Sequence, residues 1–159
     1  MSGAEGRGGA TRIAERLATF LLGLLAGAML AIAVALVPYW TTLPPAELRA
    51  WFRMHAPRIG RLMFPLGGGA ALATLVVAAL ARRAEPKRRG WLWLAGAAVL
   101  GVVVVTATVN EPINEALWGP GTLSEAETAR LIAAWGPWHL VRVGCGVLGF
   151  YAALRALDA

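Results

Sequence analysis

Three stretches of about twenty residues carry no charged side chain, and the rest of the chain is arranged around them. They run from about Leu17 to Val37, from Leu62 to Ala81 and from Trp91 to Val109. A helix of about 20 residues covers about 30 Å of hydrocarbon, so each run is long enough to cross a bilayer. A fourth run, from about Pro137 to Leu157, is weaker by hydropathy because it carries His139 and Arg142. The pattern predicts an all-α fold, a four-transmembrane-helix bundle in which residues 17–159 form a single membrane domain. Residues 1–16, rich in Gly, Ala and Arg, are expected to be a disordered tail. A cleaved signal peptide is the competing reading of the start. Its apolar core would be 7–15 residues long, shorter than this run, and no clear small-x-small cleavage site follows.

The connections carry helical signals of their own. Pro38, Tyr39 and Trp40 end the first run, and the two aromatics suit a membrane–water interface. Pro44-Pro45 can open a helix with Glu47 in its first turn. Leu48, Trp51, Phe52 and His55 then follow at i, i+3, i+4 and i+7, forming one apolar face, and Pro57 is expected to end it. A short amphipathic helix in the first outer loop results, lying on the membrane or over the mouth of the bundle. Ser124 and Glu127 form an S-x-x-E capping box before a short helix of about 125–135, which Gly136-Pro137 should break or kink ahead of the fourth span. Gly23-x-x-x-Gly27 and the glycines at 144, 146 and 149 read as surfaces for helix packing inside the bundle.

Composition agrees with the pattern. The chain is 58% hydrophobic and 15% charged, against about 25% charged for a soluble domain. A net charge of +6 and a pI of 11.0 would suit nucleic acid, but the basic residues flank the spans, so no nucleic-acid partner is expected. With the N-terminus inside, the inner segments hold Arg7, Arg12, Arg16, the loop residues Arg82, Arg83, Lys87, Arg88 and Arg89, and Arg155. The outer segments hold Arg49, Arg53, Arg58, Arg61 and Arg130. This bias places both termini in the cytoplasm of a multi-pass plasma- or inner-membrane protein. Cys145 is the only cysteine, which excludes an internal disulfide and a thiolate metal cluster.

The candidate chemistry lies at the outer ends. Trp135, Trp138, His139 and Arg142 follow at i, i+3, i+4 and i+7. A lipid-facing Arg costs about 2.5–3.5 kcal/mol at the bilayer centre, so this face should point into the bundle. A snorkelling Arg142 with an interfacial His139 is the plainer alternative. Thr106, Asn110 and Asn114 recur every four residues, with Glu111 and Glu115 beside them, in a segment N-E-P-I-N that also reads as a simple helix terminus. Both groups, and the helix bearing His55, fall in the same leaflet.

The segment N-E-P-I-N-E-x-L (Asn110 to Leu117), followed by R-L-x-x-x-W-x-x-W-H-x-x-R (Arg130 to Arg142), resembles the anthrone oxygenase-like family of small four-helix membrane proteins. The likeness extends over most of the chain from about Leu17. It implies oxidation of an anthrone to an anthraquinone by molecular oxygen, without an obvious metal or flavin motif and so with no cofactor. By the same resemblance Asn110, Asn114, Trp135, His139 and Arg142 are the positions that carry over.

Three functions follow as expectations. The first is an oxygenase acting on a hydrophobic small molecule taken from the membrane. In it His139 or His55 serves as base, Arg142 steadies an enolate-like anion, and Asn110 donates a hydrogen bond. Asn114, Glu111 and His55 are further ligand-binding candidates, and Trp135 and Trp138 form the wall for a flat ligand. The second is a non-enzymatic binder or accessory subunit whose polar cluster fixes helix packing, with Glu111 or Glu115 paired to Arg142. The third, haem held by His55 and His139, is disfavoured because His55 falls in a loop. No closely spaced metal-ligand motif is present, and no internal repeat suggests a transporter.

Overall fold

The computed structural model describes the backbone of residues 2–159 and the side chains outside residues 2–8 and Arg83. Four long helices follow one another: α1 (Gly9–Trp40, continuing a helix that begins at Ser2), α2 (Pro45–Leu80), α3 (Pro86–Trp118) and α4 (Glu125–Leu157). All four are long and apolar enough to cross a membrane, and large apolar side chains such as Phe20, Leu72, Leu80 and Leu140 stand exposed on their outer faces. A bilayer covers such faces at no cost. The chain is a multi-pass membrane protein with a helical-bundle fold.

Each helix begins and ends for a local reason. The Thr41 and Thr42 hydroxyls donate to the Pro38 and Tyr39 carbonyls, both at 2.7 Å, as α1 ends. Pro45 opens α2 at a position where the missing N–H is no loss. The Glu85 carboxylate caps α3 by accepting from the Lys87 and Arg88 amides at 3.0 and 3.3 Å. The capping box opens α4: the Glu127 amide donates to Ser124 Oγ at 3.2 Å, and the Ser124 amide donates to Glu127 Oε2 at 2.9 Å.

Four boundaries differ from the sequence expectation. The loop helix of residues 45–56 is not separate: α2 runs through Pro57 and Pro65 without a break. The helix before the fourth span is likewise the start of α4, which passes through Pro137. At the N-terminus, residues 9–16 belong to α1, and the buried Glu15 carboxylate pairs with Arg88 of α3. α3 continues past Val109 and Pro112 to Trp118. A proline removes one backbone donor, and packing on both sides of it holds the helix together where propensity alone would stop it.

Small residues set how closely the helices approach. A Cβ on Gly146 of α4 would lie 2.5 Å from Met29 Cε of α1, and one on Gly149 would meet Ala98 Cβ of α3 at 3.4 Å. Of the GxxxG pair, Gly23 faces Phe150 of α4 at 3.0 Å, whereas nothing stands within 4 Å of a Cβ on Gly27. The central core comprises Leu22, Leu25, Met29, Ala70, Val99 and Ala152, among others. A second, aromatic-rich core of Trp40, Phe52, Leu117 and Trp135 lies toward the end where α1 hands over to α2.

Candidate functional site

Two π-type turns interrupt the helices beside this second core, at Ile32–Leu36 in α1 and Thr106–Asn110 in α3. Each inserts an extra residue per turn, a device frequent at functional sites. Thr106 Oγ1 donates to the Val102 carbonyl at 2.6 Å and accepts from Arg142 Nη1 at 3.2 Å, so the α3 turn meets α4 through its first residue.

Arg142 and His139 form one unit. Arg142 is 9% exposed and His139 is wholly buried. Arg142 Nη2 lies 2.6 Å from His139 Nδ1, while His139 Nε2 lies 2.9 Å from the Met29 carbonyl of α1. A guanidinium can only donate and a carbonyl can only accept. The imidazole is therefore the Nε2–H tautomer, donating to Met29 and accepting from Arg142, with both ring nitrogens engaged. The Trp135 ring stacks on the imidazole at 4.6 Å, and the Arg142 guanidinium sits 5.5 Å from the Trp135 centroid.

Trp135 links this unit to α3. Its indole N–H donates to Asn114 Oδ1 at 2.8 Å, its carbonyl accepts from Asn110 Nδ2 at 3.2 Å, and Asn114 Nδ2 donates to Glu111 Oε2 at 3.1 Å. Asn110, Glu111, Asn114, Trp135, His139 and Arg142 thus belong to one connected network. The two remaining candidates stand outside it. Trp138 is 45% exposed, and His55 is half-buried with its ring 5.0 Å from that of Trp51.

A cavity of about 400 Å³ opens beside the network, within the range of small-molecule sites. Arg142, Glu111, Asn114, Trp135 and Thr106 supply its polar edge, and its remaining wall is apolar and aromatic. His139, Asn110, His55 and Trp138 do not line it. Trp40 Nε1 and Arg142 Nε are buried without a hydrogen-bond partner among the described residues, and both residues border the cavity. Among the described residues no group of three or more His, Cys, Asp or Glu side chains comes together to hold a metal ion.

Sequence reasoning missed several contributors. Trp40 reads as an interfacial anchor, yet it is 3% exposed and packs against Trp51, Phe52 and Trp135 with ring centroids 4.8–5.1 Å apart. Trp118 of α3 and Phe64 of α2 also line the cavity. The Met29 carbonyl, which orients His139, carries no side-chain signal at all.

No curated protein and no solved structure matches the chain. The family model described as anthrone oxygenase matches residues 51–152, from within α2 to five residues before the end of α4, and leaves out the α1 span that the sequence likeness included. That stretch holds every residue of the network except the Met29 carbonyl and covers more than half of the sequence, so the chain belongs to the anthrone oxygenase family.

Proposed function

We propose that the protein oxidises an enolisable, hydrophobic aromatic substrate with molecular oxygen inside this cavity. The observation that carries the reading is that one cation, Arg142, and one carboxylate, Glu111, both border an otherwise largely apolar, aromatic-walled space. For an anthrone the reaction balances as C14H10O + O2 → C14H8O2 + H2O. A base takes a proton from the methylene carbon, the resulting enolate gives electrons to oxygen, and a new C–O bond forms. Loss of water from the hydroperoxide then leaves the quinone.

Geometry favours a different division of labour from the one the residue types suggest. His139 has both nitrogens engaged and does not border the cavity, so it acts as a positioning residue for Arg142. Glu111 is the proton acceptor that borders the cavity, oriented by Asn114. Arg142 holds the enolate oxygen, where a preorganised cation contributes most in a site that excludes water. Asn110 acts through Trp135, not on the substrate. In this reading both termini lie in the cytoplasm, and the cavity faces the outer leaflet.

Oxygen uptake by purified protein with anthrone tests the proposal. Glu111→Gln and Arg142→Ala are each expected to lower kcat/KM by about 10² or more. No uptake by the wild type, or full rates in both variants, would overturn it.

A second reading, a binder without turnover, is supported by the links from His139 to Met29 and from Asn110 to Trp135, which also tie α4 to α1 and α3. Under it anthrone raises the thermal transition in detergent but no quinone forms.

A further inference from the structure

We infer that the cavity is loaded sideways from the bilayer, through a cleft between α2 and α3, by a membrane-dissolved aromatic molecule. The inference rests on the cavity being where a substrate binds, and concerns the route by which one arrives.

The end of the cavity nearest the loops is covered by aromatic rings. Trp40, Trp51, Phe52 and Trp135 pack there edge to face or tilted, with centroids 4.8–5.6 Å apart. Over them the start of α2 is tied to the loop between α3 and α4: Arg49 donates to the Gly121 carbonyl and Arg53 donates to the Gly119 carbonyl at 3.2 Å. Water therefore meets a ceiling of indole rings crossed by two guanidinium ties.

The flank between α2 and α3 differs. Phe64 and Gly68 of α2 and Val103 and Ala107 of α3 line the cavity and are also exposed on the outer surface of the bundle. Phe64 is 55% exposed and Val103 40%. Further along, the same two helices close on each other, where a Cβ on Gly96 would lie 3.1 Å from Ala78 Cβ. The separation is thus local to the cavity. Phe64 stands three residues beyond Arg61, about 4.5 Å along the axis at 1.5 Å per residue, and Val103 lies inside the charge-free run 91–109. The mouth consequently faces hydrocarbon rather than headgroups.

Gly68 leaves this mouth open. A Cβ there would meet nothing within 4 Å, so its missing side chain is space in the cleft rather than a packing contact. Phe64 stands one turn before it, its ring edge 3.3 Å from a Cβ on Gly60, and its ring partly covers the mouth. An aromatic of low water solubility is concentrated in the bilayer, where this mouth opens and where no aqueous path is needed.

The test is photolabelling of the full chain in phosphatidylcholine vesicles by a small aromatic diazirine dissolved in the bilayer. Glutathione in the water scavenges probe outside it, and mass spectrometry locates the label. Wild-type protein is expected to acquire label on the peptide carrying Glu111 and Trp118, inside the cavity, and on lipid-facing Leu72. Gly68→Leu should lose the interior label and keep the Leu72 label. Gly69→Leu, at a neighbouring position with equal space that does not line the cavity, should retain both. Phe64→Ala should raise the interior label. Interior label that persists in Gly68→Leu, that glutathione removes, or that is missing from the wild type would overturn the lateral route, as would Phe64→Ala without effect. Correct labelling in a protein that fails to oxidise anthrone would instead overturn the proposed reaction and leave the route standing.

Discussion

Arg142 is held inside the bundle by two fixed partners, Thr106 Oγ1 and His139 Nδ1, with an indole face beside the guanidinium. A lysine offers a single point charge and cannot reproduce that planar fork. Arg142→Lys is therefore expected to fold, as judged by its thermal transition in detergent, and still to lose most oxygen uptake with anthrone. His139 predicts a different outcome. Removing its ring leaves the Met29 carbonyl and one Arg142 N–H unpaired in a buried place, at about 1–3 kcal/mol each. His139→Ala should lower the melting temperature clearly, whereas Glu111→Gln should remove activity with little loss of stability. Equal stability losses in the two variants would contradict this division between positioning and chemistry. At this scale the sequence was informative about which residues belong together and silent about which of them border the cavity. The i, i+4, i+7 spacing puts Trp135, His139 and Arg142 on one face. Which nitrogen of His139 carries the proton depends on the Met29 carbonyl, more than a hundred positions away in the chain.

The helices owe their limits to capping and their continuity to packing. The capping box of Ser124 and Glu127 was legible in the sequence because it is a local pattern. The helix passing through Pro57, and that passing through Pro137, was not, because a proline's local penalty of about 3 kcal/mol is offset by contacts with distant helices. Glycines divide in the same way. Gly146 faces Met29, while a Cβ on Gly144 would have nothing within 4 Å, although the two stand two residues apart on one helix. Gly146→Val should therefore destabilise the bundle by about 1–3 kcal/mol through overpacking, and Gly144→Val should be near neutral. Thermal unfolding of the two variants in the same detergent checks the contrast; equal shifts would mean that α4 is rotated from the orientation described.

Across the whole molecule, four crossings put both termini on the same side of a membrane, and the surplus of Lys and Arg in the N-terminal segment and around the junction of α2 and α3 predicts that this side is the cytoplasm. Single cysteines placed at Glu125 and at Lys87, in a Cys145→Ser background, should show opposite reactivity toward an impermeant maleimide on intact cells. Glu125 should be labelled and Lys87 protected; the reverse pattern would invert the bundle and put the cavity in the inner leaflet. What the sequence alone determined is the number of spans and the end of the bundle that the polar residues share, since charge-free length and helical period are properties of consecutive positions. Only the tertiary structure decided that Arg142, Glu111 and Asn114 border a cavity while His139, Asn110, His55 and Trp138 do not. That separation depends on how helices distant in sequence rotate and approach, which small residues such as Gly146 and Gly149 and the two π-type turns set by contact across the bundle.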